Sequence, residues 1–282
     1  MQQKGVLTEI ADKAFDLSNT IEYTMSIRFI PNGFCFIVYD RKRDGLLYFM
    51  EVSEPGKTSE EVLSAYAQTH SLLKSPFSQV LFLEEDSDYE LVPMDIFQES
   101  DALAVWKLMR GGLKESLQLQ VDSLKVLDVN TIYALQTDFV QAVRASLPNV
   151  RFVNRQSVFI QFSVMENRKH SDANLFLNLH RGSVDLVVVV NGKLQIANTY
   201  PFRNEDEFLY FVLGVYDLFG LDQYKSVTTV GEVLDEGLLS ALRRYLKNVR
   251  IAAKPASLSE AFEKVENPER YLNLFNIPLC VL

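Results

Sequence analysis

Two cysteines in 282 residues, Cys35 and Cys280, are too few for a disulfide framework. Histidine is just as scarce: His70, His170 and His180 lie far apart and show no metal-ligand spacing. The sequence contains no GxSxG, HExxH, P-loop or GxGxxG pattern. No window approaches the ~20 apolar residues of a membrane span. The start, MQQKGVLTEIADKAFDL, lacks a basic region followed by an apolar one, so no secretory signal is expected. Positive charge is the minority sign. Lys+Arg total 28 against 37 Asp+Glu, a net charge of −9, with no local basic stripe. That excludes nucleic acid as the main partner, because such affinity comes largely from neutralising phosphates. These absences predict a cytoplasmic protein with no membrane insertion. What is present is core material: 48% hydrophobic residues, with 19 Phe and 12 Tyr, which excludes disorder. The length predicts one large domain or two lobes.

Residues 1–22 read as a leader packed on the outside. From Tyr23 onward, YTMSIRFI and FCFIVYD are strands around Pro31-Asn32-Gly33, and Arg43-Asp44-Gly45 turns into LLYFMEV. Asn-Gly and Asp-Gly between β-rich apolar runs are strong hairpin signals, so a three-stranded meander is predicted. Thr58-Ser59-Glu60-Glu61 has the form of a capping box opening a helix, with Pro76 beyond its end. SQVLFLEE is a continuous apolar strand, as buried parallel strands usually are. A short strand and a Trp106 helix closed by Gly111-Gly112 follow, then DSLKVLDV as a strand and TIYALQTDFVQAVRASL as one amphipathic helix. VRFVN reads as a strand and QSVFIQFSVMENRKH as a helix, despite its β-branched content. The pattern then restarts: ANLFLNLH, SVDLVVVV and KLQIANTYPF are strands turning at Arg181-Gly182 and Asn191-Gly192. A helix ending at Gly220, the strand KSVTTVGE, the helix EGLLSALRRYL and the strand NVRIAA complete it.

Segments 27–83 and 174–230 therefore share one order: strand, turn, strand, turn, strand, helix, strand. Strand meanders followed by a helix are common, but two of matched element lengths in one chain favour duplication. The expected organisation is a leader over 1–22, a first lobe over 23–172 and a second lobe with a C-terminal tail over 173–282. The class is α/β, with two lobes facing across a cleft.

This architecture resembles the actin-like ATPase superfamily, which includes actin, the chaperone ATPases, sugar kinases, FtsA and PilM. LFLNLHRGSVDLVVVVNGKLQIANTYPF is similar to the phosphate-binding hairpin of the FtsA and PilM group, VTTVGEVLDEGLLSALRRYL to the adenosine motif, and SIRFIPNGFCFIV takes the place of the first phosphate hairpin. The chain also resembles an uncharacterised bacterial family, a domain of unknown function with an actin-like fold. The resemblance implies a duplicated RNase H-like fold with mixed five-stranded sheets flanked by helices. It places a nucleotide site over Arg28, Asn32, Gly33, Asn178, Arg181, Gly182, Ser183, Asp185, Gly231 and Glu232. In the superfamily each hairpin carries an Asp that positions Mg²⁺ and water. Here those positions hold Arg28 and Asn178, and glycine positions hold Ile30, His180 and Arg181. Asn178 cannot bring carboxylate charge to a metal, and Arg28 repels one. Bulky residues at glycine positions block close backbone approach to a phosphate. Phosphoryl transfer rests on positioning and metal charge, so the resemblance implies a degenerate site with at most weak binding of ATP and Mg²⁺.

Residue by residue, ordinary structure competes with function. Gly182 and Ser183 either cradle a phosphate or make a hairpin turn. Arg28 and Arg181 either share an anion by bidentate bonds or are solvated side chains. Asp185 matches a family Asp or caps its hairpin. Cys35 reads as a small buried residue and His180 as a surface imidazole. Asp40, Asp122, Asp128 and Asp185 could serve a two-metal nuclease of the same lobe type, a reading the acidic chain disfavours. The tail ERYLNLFNIPLCVL is expected to pack on the second lobe. The functional expectation is a catalytically silent actin-like protein acting as a scaffold or interaction module with a protein partner, against the alternative of an ATP-binding switch or slow ATPase.

Overall fold

The computed structural model describes residues 5–85, 88–169, 173–233, 235–252 and 260–279. His170 and Cys280 lie outside the described residues. Contacts divide the chain into two units. The first takes residues 1–157, 255–266 and 274–282; the second takes 158–254 and 267–273.

The first unit opens with strand β1 (Val6–Ala11), so the expected leader contributes an edge strand. β2 (Thr24–Ile30), β3 (Gly33–Asp40) and β4 (Gly45–Ser53) form the predicted meander. Its first turn places Asn32 at φ 61°, a conformation an Asn side chain tolerates. Helix α1 (Ser59–Thr69) carries the capping box: Glu61 N–H donates to Thr58 Oγ1 at 3.2 Å and Thr58 N–H to Glu61 Oε2 at 2.8 Å. The short helix α2 (Ser71–Lys74) precedes β5 (Gln79–Glu84). Next come β6 (Tyr89–Pro93), α3 (Ala102–Arg110), β7 (Leu117–Leu124), β8 (Val129–Gln136), α4 (Thr137–Ser146), β9 (Val150–Asn154) and α5 (Arg155–Asn167), in which the boundary between the units falls.

TIYALQTDFVQAVRASL is thus not one helix. Its first half is strand β8, hydrogen-bonded between β6 and β7 with Ile132 and Tyr133 buried, and the helix begins at Thr137. The run Thr131-Ile132-Tyr133 is β-branched and aromatic, and two partner strands realise that preference. DSLKVLDV likewise splits: β7 ends at Leu124, and Asp128 at φ 54° belongs to the turn into β8. The resulting three-stranded sheet β6-β8-β7 stands in addition to the two expected sheets.

The second unit contains β10 (Asn174–His180), β11 (Ser183–Val190), β12 (Lys193–Pro201), α6 (Glu205–Leu218), β13 (Val227–Val233), α7 (Glu236–Tyr245) and β14 (Val249–Ile251). A short helix, α8 (Leu272–Asn276), follows a 3-10 turn over Pro268–Tyr271.

The duplication holds rung for rung. The first large sheet runs β1-β4-β3-β2-β5-β9 and the second β12-β11-β10-β13-β14. Setting β1 aside, both have the same order, with two antiparallel pairings on one side of the first-formed strand and parallel pairings on the other. Ile30 pairs with Gly33 as His180 pairs with Ser183, and Arg28 with Cys35 as Asn178 with Asp185. Even the irregularity repeats. The β3–β4 ladder slips after Val38, opposite Tyr48, and the β11–β12 ladder after Val188, opposite Ile196. A bulge is a specific local insertion, so its recurrence on one rung is a stronger mark of duplication than matched lengths.

Alternation then decides the faces. Met25, Ile27, Phe34, Phe36 and Val38 pack with Val62 and Tyr66 of α1 and Val140 and Val143 of α4. Leu175, Leu177, Leu179, Val184 and Leu186 pack with Phe208 and Val212 of α6 and Leu239 and Leu242 of α7. Each such side chain contributes about 1.5–3 kcal/mol on burial. The opposite faces receive Arg28 and Cys35 in one unit, and Asn178, His180 and Asp185 in the other.

Candidate functional site

At the end of the first hairpin Arg28 is 7% exposed, and its Nη1 donates to Glu85 Oε1 at 2.8 Å. Its ladder partner Cys35 is fully buried. Burial pushes the thiol up to about 12 against the pull of the Arg28 charge, so Cys35 is an inert thiol. The Pro31–Asn32 turn is tied to its own unit: Glu54 N–H donates to the Asn32 carbonyl at 2.8 Å, Ser53 Oγ to Pro31 O at 3.1 Å and Ser59 Oγ to Ile30 O at 2.8 Å. Gly33 has a packing reason to be glycine, since a Cβ there would collide with the Val52 carbonyl oxygen of β4.

In the second unit, Asn178 is fully buried and accepts the Glu232 N–H on Oδ1 at 3.0 Å. The β10–β13 ladder shifts between Leu177 and Leu179, and the Asn178 amide bridges that gap. A Cβ on Gly231 would collide with Asn178 Oδ1 and stand 2.7 Å from Leu272 Cδ2. Glu232, 4% exposed, accepts the Asn273 N–H on Oε1 at 3.3 Å.

Asp185 is fully buried and used on both oxygens. Oδ2 lies 2.7 Å from His180 Nε2, and Oδ1 accepts from Thr199 Oγ1 at 2.9 Å. It therefore orients the His180 ring and ties β11 to β12, so His180 is an anchored imidazole and not a loose surface one. Arg181 and Gly182 form the exposed turn, with Gly182 at φ 76° and its carbonyl accepting the Phe202 N–H at 2.9 Å. Ser183 is half-buried on the rung opposite His180.

The second unit thus gathers Asn178, Gly231 and Glu232 in one hydrogen-bonded group, with Asp185 across the ladder from Asn178. Arg28, Asn32 and Gly33 belong to the first unit, where Arg28 is ion-paired. The carboxylates of the nuclease reading do not assemble. Asp40 accepts the Lys42 N–H in the β3–β4 turn at 2.8 Å, Asp122 accepts the Asn154 N–H at 2.8 Å, and Asp128 sits in its own turn. Among the described residues no three His, Cys, Asp or Glu side chains are grouped to hold a metal, and no helix is long and apolar enough to cross a membrane. Glu85, Leu272 and Asn273 were beyond sequence reasoning. Thr199 and His180 were within reach, since the hairpin register places both beside Asp185.

A profile of the family described as "Protein of unknown function (DUF3822)" matches residues 12–249. No curated protein sequence matches the chain. Among solved structures, a Bacteroides thetaiotaomicron protein described as having an actin-like ATPase fold and unknown function is similar, with TM-score 0.72 and 18% identity over 88% of this chain and 97% of that one. The PilM–PilN type IV pilus biogenesis complex includes a chain similar at TM-score 0.57 and 14% identity, over 92% of this chain and 97% of that one. Likeness at such identity speaks for the fold, which is that of the actin-like ATPases.

Proposed function

This chain belongs to the DUF3822 family, and we propose that it is a catalytically silent actin-like protein that works as an interaction module for a protein partner in the cytoplasm. The observation that carries the reading is the fate of the two positions where the resemblance puts metal-directing carboxylates. One holds Arg28, a buried cation paired with Glu85, and the other holds Asn178, whose oxygen is bound to the Glu232 amide. A guanidinium repels Mg²⁺, and a neutral amide engaged with its own backbone adds no charge. These side chains do not fit a magnesium-bound nucleotide, and phosphoryl transfer has little besides positioning and metal charge to draw on. That one structural neighbour comes from a two-protein complex supports a protein as the partner, by analogy of fold alone.

Calorimetric titration of the purified protein with ATP and Mg²⁺, and with ATP and a chelator, tests the reading together with a phosphate-release assay. The expected outcome is no phosphate release and no Mg²⁺-dependent heat. Sustained phosphate release, or micromolar binding that needs Mg²⁺, overturns it and returns the ATP-driven switch as the better account.

A further inference from the structure

Gly231 lies on β13, and the resemblance sets it against a nucleoside. Here it faces the chain itself. Leu272, 2% exposed, places Cδ2 2.7 Å from where a Cβ of residue 231 would stand, and Asn178 Oδ1 is nearer still. The turn Pro268–Tyr271 packs along β13 and delivers Leu272 to that spot. One residue on, the Asn273 backbone N–H is bound to the Glu232 carboxylate. All of these groups belong to the second unit.

A second observation points the same way. Asn178 Nδ2, and both Nδ2 and Oδ1 of Asn273, are buried with no hydrogen-bond partner among the described residues, on side chains that are 0% and 1% exposed. Core packing alone selects against amides left in this state. These amides flank Glu232 on either side and lie under the segment that carries Leu272.

We infer that residues 268–273 are a built-in plug, occupying the volume a nucleoside would need beside Gly231. The inference takes the position of that site from the resemblance on which the silent-site reading also rests, but it names a separate cause of closure: the plug excludes the nucleoside whether or not the metal carboxylates are present.

Adenosine, without phosphate or metal, is therefore the discriminating probe. Its binding to wild type, Leu272→Ala and Leu272→Val is measured by calorimetry, with amide exchange at Gly231 and Glu232 as the positional readout and circular dichroism to establish folding. The wild type is expected to give no heat. The variants are expected to bind at least about tenfold more tightly than the wild-type limit, the Ala opening exceeding the Val opening, with new protection at both amides. Folded variants that bind no better than wild type overturn the plug. So does adenosine binding to wild type, or fast exchange of the Asn273 amide in wild type, which needs no variant at all. Phosphate release from ATP by wild type is a different result: it sinks the silent reading, while the plug is judged on adenosine.

Discussion

Asp122 shows how burial can outweigh the partners of a side chain. It is fully buried at the end of β7, accepts the Asn154 N–H at 2.8 Å and the Tyr133 hydroxyl at 3.4 Å, and burial pushes its carboxyl up to about 6. A folded-state value above the unfolded one means that the folded protein holds the proton longer. The contribution is fully present below the ordinary value of 3.8 and is lost as pH rises through about 6. Asp122→Asn keeps one acceptor for the Asn154 N–H and cannot ionise. Its stability relative to wild type should therefore rise between pH 4 and pH 7, by about 3 kcal/mol at most. Urea unfolding of both proteins at several pH values checks this. The comparison must be between the two, because His70, whose value burial lowers, titrates with the opposite sign. A constant difference across that range would show that Asp122 stays ionised.

Gly231 makes a second prediction at the same scale. A Cβ there meets Asn178 Oδ1 and Leu272 Cδ2, so Gly231→Ala should lower stability by about 1–3 kcal/mol. Asn178→Ala removes the nearer obstacle. If the collision is the cause, the Gly231→Ala cost should shrink in that background, and a double-mutant cycle by chemical denaturation measures the coupling. Additive costs would mean that the remaining obstacle, Leu272 Cδ2, and not Asn178, sets the cost.

Among elements, the two equivalent edge strands are managed differently. β4 is covered by β1, and the Ser53 N–H donates to the Gly5 carbonyl at 2.9 Å. β12 has no strand beyond it among the described residues, and the rung equivalent to Ser53 holds Pro201, which has no N–H to offer. Its neighbour Thr199 has its N–H taken by Asn198 Oδ1 at 2.9 Å. Proline and side-chain capping are the usual ways to blunt an exposed edge. Deleting residues 1–11 should therefore uncover an unprotected β4 and drive concentration-dependent association. Pro201→Ser with Asn198→Ala should do the same more weakly at β12. Light scattering after size exclusion separates these outcomes, and a monomeric deletion protein would show that β4 needs no cover.

Element signals also explain what could be read in advance. The hairpins were legible because Pro-Asn-Gly, Asn-Gly and the Thr58–Glu61 box each specify a local conformation. The β8–α4 boundary was not, since Gln136 passes into Thr137 without the glycine or proline that usually marks a change of period. The site divides the same way. Hairpin register alone places Arg28 opposite Cys35 and Asn178 opposite Asp185. The partners that settle their chemistry lie 57 residues from Arg28, at Glu85, and 41 residues from Glu232, at Asn273. No local pattern encodes contacts at that separation.

For the molecule as a whole, the closing stretch of chain is divided between the units. Residues 267–273 group with the second unit and 274–282 with the first, and Leu272, Leu274, Phe275 and Ile277 are all buried. The tail was expected to pack on the second lobe; its apolar residues are instead shared, with Phe275 tilted against Phe49 of β4 at 6.2 Å. Its parts pack within each unit, Pro268–Tyr271 along β13 and Ile277–Leu279 against β2, so its loss uncovers surface in both. Truncation after residue 266 should therefore raise amide exchange in β2 and β5 as well as in β10 and β13. A second, local reporter is Trp106 of α3, 3% exposed against β8, in a small core of its own with Ile132 and Ala134. Its fluorescence should change little in the truncated protein under native conditions. If exchange rises in one unit alone, the tail serves that unit only, and the two halves of the duplication hold their cores independently.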